Sequence, residues 1–261
     1  MDHTFPGLQI QPLEVTRGSD VEVAAESAPA VIADRYAQRK LVVAPNAPDA
    51  GEAYCRLATQ LHQASQTRAL TTVLIASAMP GEGKSLTAAN LALALSGSYR
   101  KRVVLVDADL RHPSLHTLFD TDNSIGLSHC LMAGATSAIE PVRLSDRLSL
   151  LPGGRPSPDP LAALTSERMK DLLSAQTRQF DWVIVDAPPF TVFPDGHLLV
   201  RLVDGVVLVV RAGRTPRAAV ESTVKMVGRQ AILGIVLNRS AATTRAQYDR
   251  YERQVRRGQR S

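Results

Sequence analysis

The stretch 71–90, TTVLIASAMPGEGKSLTAAN, decides the fold because it joins an apolar strand to a helix through a glycine-rich loop. Its centre supplies Gly83, Lys84 and Ser85 of the phosphate-binding pattern G-x-x-x-x-G-K-[ST], and Ala78 stands where the pattern has its first glycine. Backbone N–H groups of such a loop and the N-terminus of the following helix point at an anion, and the lysine adds a full positive charge. The stretch therefore predicts a phosphate site with an altered entry.

Five more short apolar segments follow this strand, separated by segments of helical composition. Strands that are apolar throughout are buried on both faces, as in a parallel sheet covered by helices. The alternation predicts a doubly wound α/β fold with a mostly parallel sheet of the P-loop NTPase type and helices on both faces. The predicted strands are 71–77, 102–109, 148–154, 181–188, 205–210 and 232–238, and the predicted helices include 85–98, 162–178, 216–229 and an amphipathic helix that contains Tyr54, Leu57 and Leu61.

Changes in amino-acid composition divide the chain into three parts. Residues 1–48 contain scattered proline, alanine and acidic residues without a period and predict a flexible segment and linker, with at most a short strand or helix. Residues 49–240 are predicted to form the α/β domain, and residues 241–261 an arginine-rich tail.

The overall composition favours a cytoplasmic protein. The most apolar runs, such as 205–210, fall far short of the roughly 20 residues that a membrane-spanning helix needs. The N-terminus lacks the basic and apolar regions of a secretory signal, and two cysteines, Cys55 and Cys130, fit free thiols in a reducing compartment.

The C-terminal stretch 239–261 carries seven arginines against Asp249 and Glu252, in a chain of net charge +5. Such a tail is a solvated terminus, or a contact for an anionic membrane face or for nucleic acid. Aromatic residues for base stacking are sparse, so we expect no nucleic-acid partner.

Aspartates end two of the predicted strands. Asp107 and Asp109 end one strand and Asp186 ends another, and ligands of parallel α/β sheets bind beyond the carboxyl ends of the strands. A Mg²⁺–nucleotide needs oxygen ligands, which these carboxylates and the Ser85 hydroxyl would supply. A single aspartate at a strand end is more often a helix cap, and Asp109 alone is as well explained in that way.

Several segments together resemble the bacterial tyrosine kinase (BY-kinase) family over roughly residues 50–240. The resemblance is carried by SAMPGEGKSLTAANLA, VVLVDADLRHP, LPGGRPSPDPLAALTSERMKDLL, FDWVIVDAPP and VLNR, in this order and spacing. Members are cytoplasmic autokinases of capsular and exopolysaccharide export, related to the Min and Par ATPases. Those ATPases usually have a lysine early in the loop, where this chain has Met79.

The resemblance implies an ATP-dependent protein-tyrosine autokinase with ATP and Mg²⁺ as cofactors. Its implied catalytic residues are Lys84, Asp107, Asp109 and Asp186, with Lys84 on the β- and γ-phosphates and Asp107 as candidate base. Ser85, Asp107 and Asp186 are the implied metal residues. The implied nucleotide-binding residues are Pro80, Gly81, Glu82, Gly83, Lys84, Ser85, Leu86 and Arg111, with Asn238 and Arg239 placed where relatives contact the base.

The chain departs from the family in its tail and at one helix. The family's phosphoacceptors form a dense tyrosine cluster, whereas this tail has only Tyr248 and Tyr251, which are either acceptors for a neighbouring subunit or packing residues. The family's Glu-x-x-Arg-x-x-Arg subunit contact keeps Glu52, but Cys55 and Ala58 replace its arginines. Oligomer assembly through that contact is therefore in doubt.

The partner that the resemblance implies is a membrane-anchored polysaccharide co-polymerase, or chain-length regulator, which would activate the kinase. The chain would then be a homo-oligomer located peripherally at the inner face of the cell membrane. The alternative is a Min/Par-like ATPase switch without kinase activity that acts at the membrane. A non-catalytic regulator is disfavoured by the intact Lys84, Ser85, Asp107 and Asp186.

Overall fold

An eight-stranded sheet forms the centre of the computed structural model, which describes residues 13–15, 41, 50–132, 139–190 and 195–240. Its strands are β1 (Leu13–Val15), β2 (Thr72–Ser77), β3 (Val103–Asp107), β4 (Val142–Arg143), β5 (Leu148–Leu151), β6 (Trp182–Asp186), β7 (Gly205–Arg211) and β8 (Ile232–Asn238). The strand order is β1-β8-β7-β2-β6-β3-β5-β4, and each neighbouring pair is parallel except β4–β5. The predicted mostly parallel sheet is confirmed.

The six predicted strands are all present, and the central ones are buried along their whole length. Every residue of β2, β3 and β6 is buried, which explains why these segments show no polar alternation. Strands β3 and β6 end earlier than predicted, at Asp107 and Asp186 respectively. The short strand β1 falls within 1–48, and the rest of that segment, apart from Leu41, lies outside the described residues.

Helices cover both faces of the sheet. They are α1 (Ala50–Thr67), α2 (Lys84–Gly97), α3 (Leu115–Phe119), α4 (Leu127–Leu131), α5 (Pro160–Leu164), α6 (Glu167–Gln179), α7 (Asp195–Leu198) and α8 (Arg217–Val227), with 3₁₀ turns at Leu199–Leu202 and Arg229–Ala231. The single helix predicted over 162–178 is wrong, because two helices, α5 and α6, occupy that region. Asp159 caps the first, accepting from Ala162 N at 3.0 Å, and Ser166 caps the second, accepting from Met169 N at 3.3 Å.

Successive residues of the buried strands point into two separate cores. Val73 and Ile75 of β2 join the core beneath α1 and α2, which contribute among others Leu57 and Leu95. Leu74, by contrast, belongs to the opposite core, which α4, α5, α6 and α8 cover. The helices on both faces confirm the doubly wound architecture, and burial of each such leucine stabilises the fold by roughly 1.5–3 kcal/mol.

The sheet register brings the candidate site together. Because β2, β6 and β3 are parallel neighbours, their carboxyl ends share one edge, with Asp107 directly opposite Asp186 and Asp186 opposite Ile75. The loop after β2 therefore emerges beside both aspartates.

At the amino ends of the strands, the side chain of Asp204 connects β2 to β7, and its removal should destabilise the fold. Its Oδ2 accepts hydrogen bonds from Thr71 N at 2.8 Å and Thr72 N at 2.7 Å. We expect Asp204→Ala to lower the free energy of unfolding by about 1 kcal/mol, because two backbone donors lose their acceptor at a solvent-accessible position. Urea unfolding should show a lower midpoint at unchanged slope. The control is Asp146→Ala, whose side chain is 87% exposed, and an equal loss in both variants would contradict the prediction.

Candidate active site

The loop between β2 and α2 adopts a conformation that requires its glycines. Gly81 has φ 74° and Gly83 has φ 95°, values that side chains with a Cβ atom rarely adopt. A Cβ atom on Gly83 would also lie 2.1 Å from Asn238 Nδ2. The helix α2 begins at Lys84 directly after this turn, so its free N–H groups face the same space as the loop amides.

Lys84 lies at the centre of the site. Its Nζ is 3.0 Å from Asp109 Oδ2 and 3.6 Å from Asp186 Oδ1, and it donates a hydrogen bond to Ser85 Oγ at 3.3 Å. Burial lowers the pKa of Lys84, but the charges of Asp186, Asp109 and Asp107 outweigh burial and raise that pKa above its usual value. The lysine is therefore protonated, and it brings together four of the predicted site residues.

Asp186 is a buried carboxylate whose Oδ1 lies 3.6 Å from the Lys84 ammonium, but among the described residues neither of its oxygens accepts a hydrogen bond of ordinary geometry. Burial raises the pKa of Asp186 more than the positive charge of Lys84 lowers it. Leaving a charged group buried without donors is costly, and such a group is expected to coordinate a metal or to be paired. Together with the Ser85 hydroxyl it fits a Mg²⁺ ion, which binds through one or two protein oxygens plus phosphates and water.

No cluster of three histidine, cysteine, aspartate or glutamate side chains suited to a metal occurs within the described ranges. A cation at this edge would thus depend on the nucleotide phosphates for part of its coordination.

Asp107 lies beside Asp186, and backbone amides occupy part of its carboxylate. Its Oδ2 accepts from Ser114 N and Leu115 N, each at 2.9 Å, and its Oδ1 accepts from Asp109 N at 3.3 Å. Burial and the charge of Asp186 raise the pKa of Asp107 to about 7, against the opposing effect of the amides. The carboxylate thus anchors the turn into α3, and its predicted part in metal binding and proton transfer stays a prediction.

The remaining predicted binding residues surround the loop in different ways. Pro80 is exposed, whereas Leu86 and Arg111 are half-buried. Asn238 ends β8 and is buried, and its Nδ2 donates to the carbonyl oxygen of Glu82 at 2.7 Å, so this amide supports the loop. Arg239 is exposed with φ 60°. The tyrosines Tyr248 and Tyr251 lie outside the described residues.

The LPGG segment, residues 151–154, has a structural role that the sequence did not reveal. The carbonyls of Pro152 and Gly153 accept from Leu127 N at 2.7 Å and Ser128 N at 2.9 Å, respectively. Asn123 Nδ2 donates to the Gly154 carbonyl and Asn123 Oδ1 accepts from Gly154 N, each at 2.8 Å. A Cβ atom on Gly126 would lie 2.3 Å from the carbonyl oxygen of Pro152. The segment therefore seats the start of α4 by close backbone contact.

Sequence reasoning also missed the side chain of Glu82 and its partner Thr215. Glu82 was expected among the nucleotide-binding residues, yet its carboxylate is buried and accepts a hydrogen bond from the Thr215 hydroxyl. The only local signal for Thr215 is its position just before Pro216 at the start of α8, which is typical of many helix starts.

Known proteins of similar sequence and structure identify the family of this chain. The tyrosine-protein kinase YwqD of Bacillus subtilis is 36% identical over 204 residues, which cover 77% of this chain and 85% of YwqD. The chain belongs to the bacterial tyrosine kinase family. The kinase domain of the Escherichia coli tyrosine kinase ETK superposes with a TM-score of 0.74 at 25% identity, covering 90% of this kinase and 91% of that chain.

A family model described as "ParA: NUBPL iron-transfer P-loop NTPase" matches residues 68–258 of this kinase. The succinoglycan biosynthesis transport protein ExoP of Rhizobium meliloti is 32% identical over 187 residues, which cover 69% of this kinase and 24% of ExoP. The predicted family, its P-loop NTPase fold and its protein-tyrosine kinase class are confirmed.

Asp186→Asn should stabilise the nucleotide-free kinase and weaken its response to Mg²⁺–nucleotide. Burial raises the pKa of Asp186, so the folded state holds the proton more tightly than the unfolded chain. Stability is then lost as pH rises from the ordinary carboxyl range through the raised pKa, and the neutral amide avoids this loss. At pH 7.5 we expect the free energy of unfolding to increase by about 1 kcal/mol, as at other functional sites that trade stability for activity.

Thermal melts with and without Mg²⁺–ADP measure both effects. The wild type should gain stability on adding Mg²⁺–ADP, and the variant should gain much less. A variant that is less stable without ligand, or that responds equally to Mg²⁺–ADP, would contradict this role of Asp186.

Proposed function

We propose that this kinase transfers the γ-phosphoryl group of ATP to tyrosines of its own C-terminal tail, in trans between subunits. We further propose that this autophosphorylation regulates the polymerisation and export of an exopolysaccharide or capsule. The observation that carries the proposal is the position of the Lys84 ammonium between Asp109 and Asp186 beneath a glycine-rich loop.

The geometry suits phosphoryl transfer, in which catalysis rests mainly on positioning and on neutralising charge. Lys84 and the loop amides from Gly81 to Leu86 would hold the β- and γ-phosphates. Ser85 and Asp186 would hold Mg²⁺, which supplies charge neutralisation on the phosphate oxygens. The buried surroundings strengthen each of these interactions, because little water screens them.

Asp107 is the proposed base for the incoming tyrosine hydroxyl. A tyrosine has a pKa of about 10, and in a loose transition state its proton leaves late, so a weak base suffices. The raised pKa of Asp107, about 7, is closer to the pKa of tyrosine than the pKa of an ordinary aspartate is. Asp109 is the neighbouring carboxylate, with Oδ2 on Lys84 and Oδ1 accepting from His112 N at 3.1 Å, and it would share the wall of the site with Arg111.

Support for the polysaccharide context comes from ExoP, whose name assigns it to succinoglycan biosynthesis and transport and of which this kinase matches 24%. We propose that a membrane-anchored polysaccharide co-polymerase, or chain-length regulator, is the activating partner and holds the kinase at the inner face of the membrane. No helix within the described ranges is long and apolar enough to cross a membrane.

A homo-oligomer would have to assemble without the family's arginine contact. Glu52 pairs with Arg56 on its own helix at 3.1 Å, while Ala58 is fully buried and Cys55 half-buried. We therefore propose that subunits meet through another surface.

The alternative is a Min/Par-like ATPase switch, which the match to the ParA family model favours. Incubation with γ-labelled ATP and the cytoplasmic segment of the partner, followed by phosphosite mapping, separates the two functions. Label on Tyr248 or Tyr251 supports the kinase, whereas free phosphate without labelled protein supports the switch.

Lys84→Met should reduce tyrosine labelling by about a hundredfold or more, because it removes a charge that stabilises the transferring phosphoryl group. The matched control is Lys170→Met, whose side chain is 65% exposed on α6 and which should label like the wild type. Replacing Tyr248 and Tyr251 together by phenylalanine should abolish the tail label. Full labelling of the Lys84→Met variant would refute the assignment.

A further inference from the structure

Glu82 places a carboxylate inside a loop whose ligand is itself anionic. A negative charge that faced the phosphates would oppose their binding. Yet the residue is only 2% exposed, between the exposed Gly81 and the half-exposed Gly83. The carboxylate is thus turned inward, away from the solvent-facing part of the loop, and its contacts there determine what it does.

Both oxygens of this carboxylate hold part of the site in place. Oε2 accepts a hydrogen bond from Met79 N at 2.8 Å and so closes the loop upon itself. Oε1 accepts from the hydroxyl of Thr215, and the same hydroxyl oxygen accepts from Arg211 N, the last residue of β7, at 2.9 Å. The side chain therefore joins the phosphate loop to the β7–α8 turn, which we define as residues 212–216.

The backbone of Glu82 adds a third connection. Its carbonyl oxygen accepts from Asn238 Nδ2 at 2.7 Å, and Ala212 N donates to the backbone oxygen of Asn238 at 2.9 Å. Glu82 is thus the residue at which the loop after β2 meets the carboxyl ends of β7 and β8. Gly83, with its φ of 95°, follows immediately, so these contacts hold the backbone just before the strained turn into α2.

We infer that Glu82 is a positioning residue that preorganises the phosphate loop and couples its shape to the β7–α8 turn. Its side chain acts through the amides of the loop and is turned away from the space that the nucleotide phosphates would occupy. The inference rests on the proposed function only in that this loop binds nucleotide phosphates. If the loop must become ordered on binding, the binding of the substrate and of the transition state is weakened equally. Loss of Glu82 should therefore raise KM more than it lowers kcat.

Binding of Mg²⁺–ADP to the full-length protein tests this inference independently of kinase activity. We expect Glu82→Ala and Thr215→Val each to raise the Kd for ADP about tenfold, which corresponds to about 1.4 kcal/mol. Because both changes break the same contact between Glu82 and Thr215, the Kd of the double variant should rise by no more than about the larger of the two single increases. In phosphorylation assays the KM for ATP should rise while the change in kcat stays smaller.

Conservative replacements distinguish positioning from general damage. Thr215→Ser keeps the hydroxyl and should restore the wild-type Kd. Glu82→Gln should recover most of it, because its carboxamide oxygen accepts from Met79 N and its NH₂ donates to the Thr215 oxygen. That recovery should vanish in combination with Thr215→Val. Glu221→Ala, which removes an exposed carboxylate of α8, is the matched control and should leave the Kd unchanged.

A Kd for the Thr215→Val variant within about twofold of the wild type, or single losses that add in the double variant, would overturn the inference. Melting curves without nucleotide check that each variant is folded. If the Glu82→Ala variant is unfolded, the Kd of the Thr215→Val variant decides the test. Protein that binds ADP with these shifts but labels no tyrosine would refute the proposed kinase function alone.

Discussion

The ammonium group of Lys84 offsets part of the negative charge of three aspartates at the carboxyl ends of the strands. The parallel register of β3 and β6 places Asp107 directly opposite Asp186, and the loop after β3 adds Asp109. Burial raises the pKa of both Asp107 and Asp186, so the fold itself disfavours the charged forms that a nucleotide site requires. The Mg²⁺ ion of a bound Mg²⁺–nucleotide would supply positive charge beside these carboxylates, which couples ligand binding to the stability of the whole sheet.

The surrounding structure holds this charge arrangement through backbone contacts. Amides at the start of α3 fix Asp107, the glycines of the phosphate loop allow α2 to begin beside the carboxylates, and 152–154 seats the start of α4. Each of these supports lies on a loop or at the start of a helix, whereas the carboxylates of β3 and β6 end buried strands. The site therefore combines rigid strand ends with loops whose shape depends on a few hydrogen bonds.

Much of this arrangement could be predicted from the sequence, since it follows from local patterns. Unbroken apolar segments predicted the six main strands, and the aspartates at the ends of two of them predicted a site at the carboxyl ends of the strands. The break between α5 and α6 depends on the caps at Asp159 and Ser166, which compete with an otherwise continuous helical pattern. The contact between Glu82 and Thr215 joins residues 133 positions apart and leaves no periodic trace.

The short strand β4 has a consequence for how copies of this kinase can associate. It forms one edge of the described sheet, is two residues long, and exposes both Val142 and Arg143. Brief, charged edge strands discourage pairing between the sheets of different molecules. Growth of the sheet from one copy into the next is thus disfavoured at this edge. Here contacts between copies are left to helices and loops, which can form and separate without disturbing the sheet.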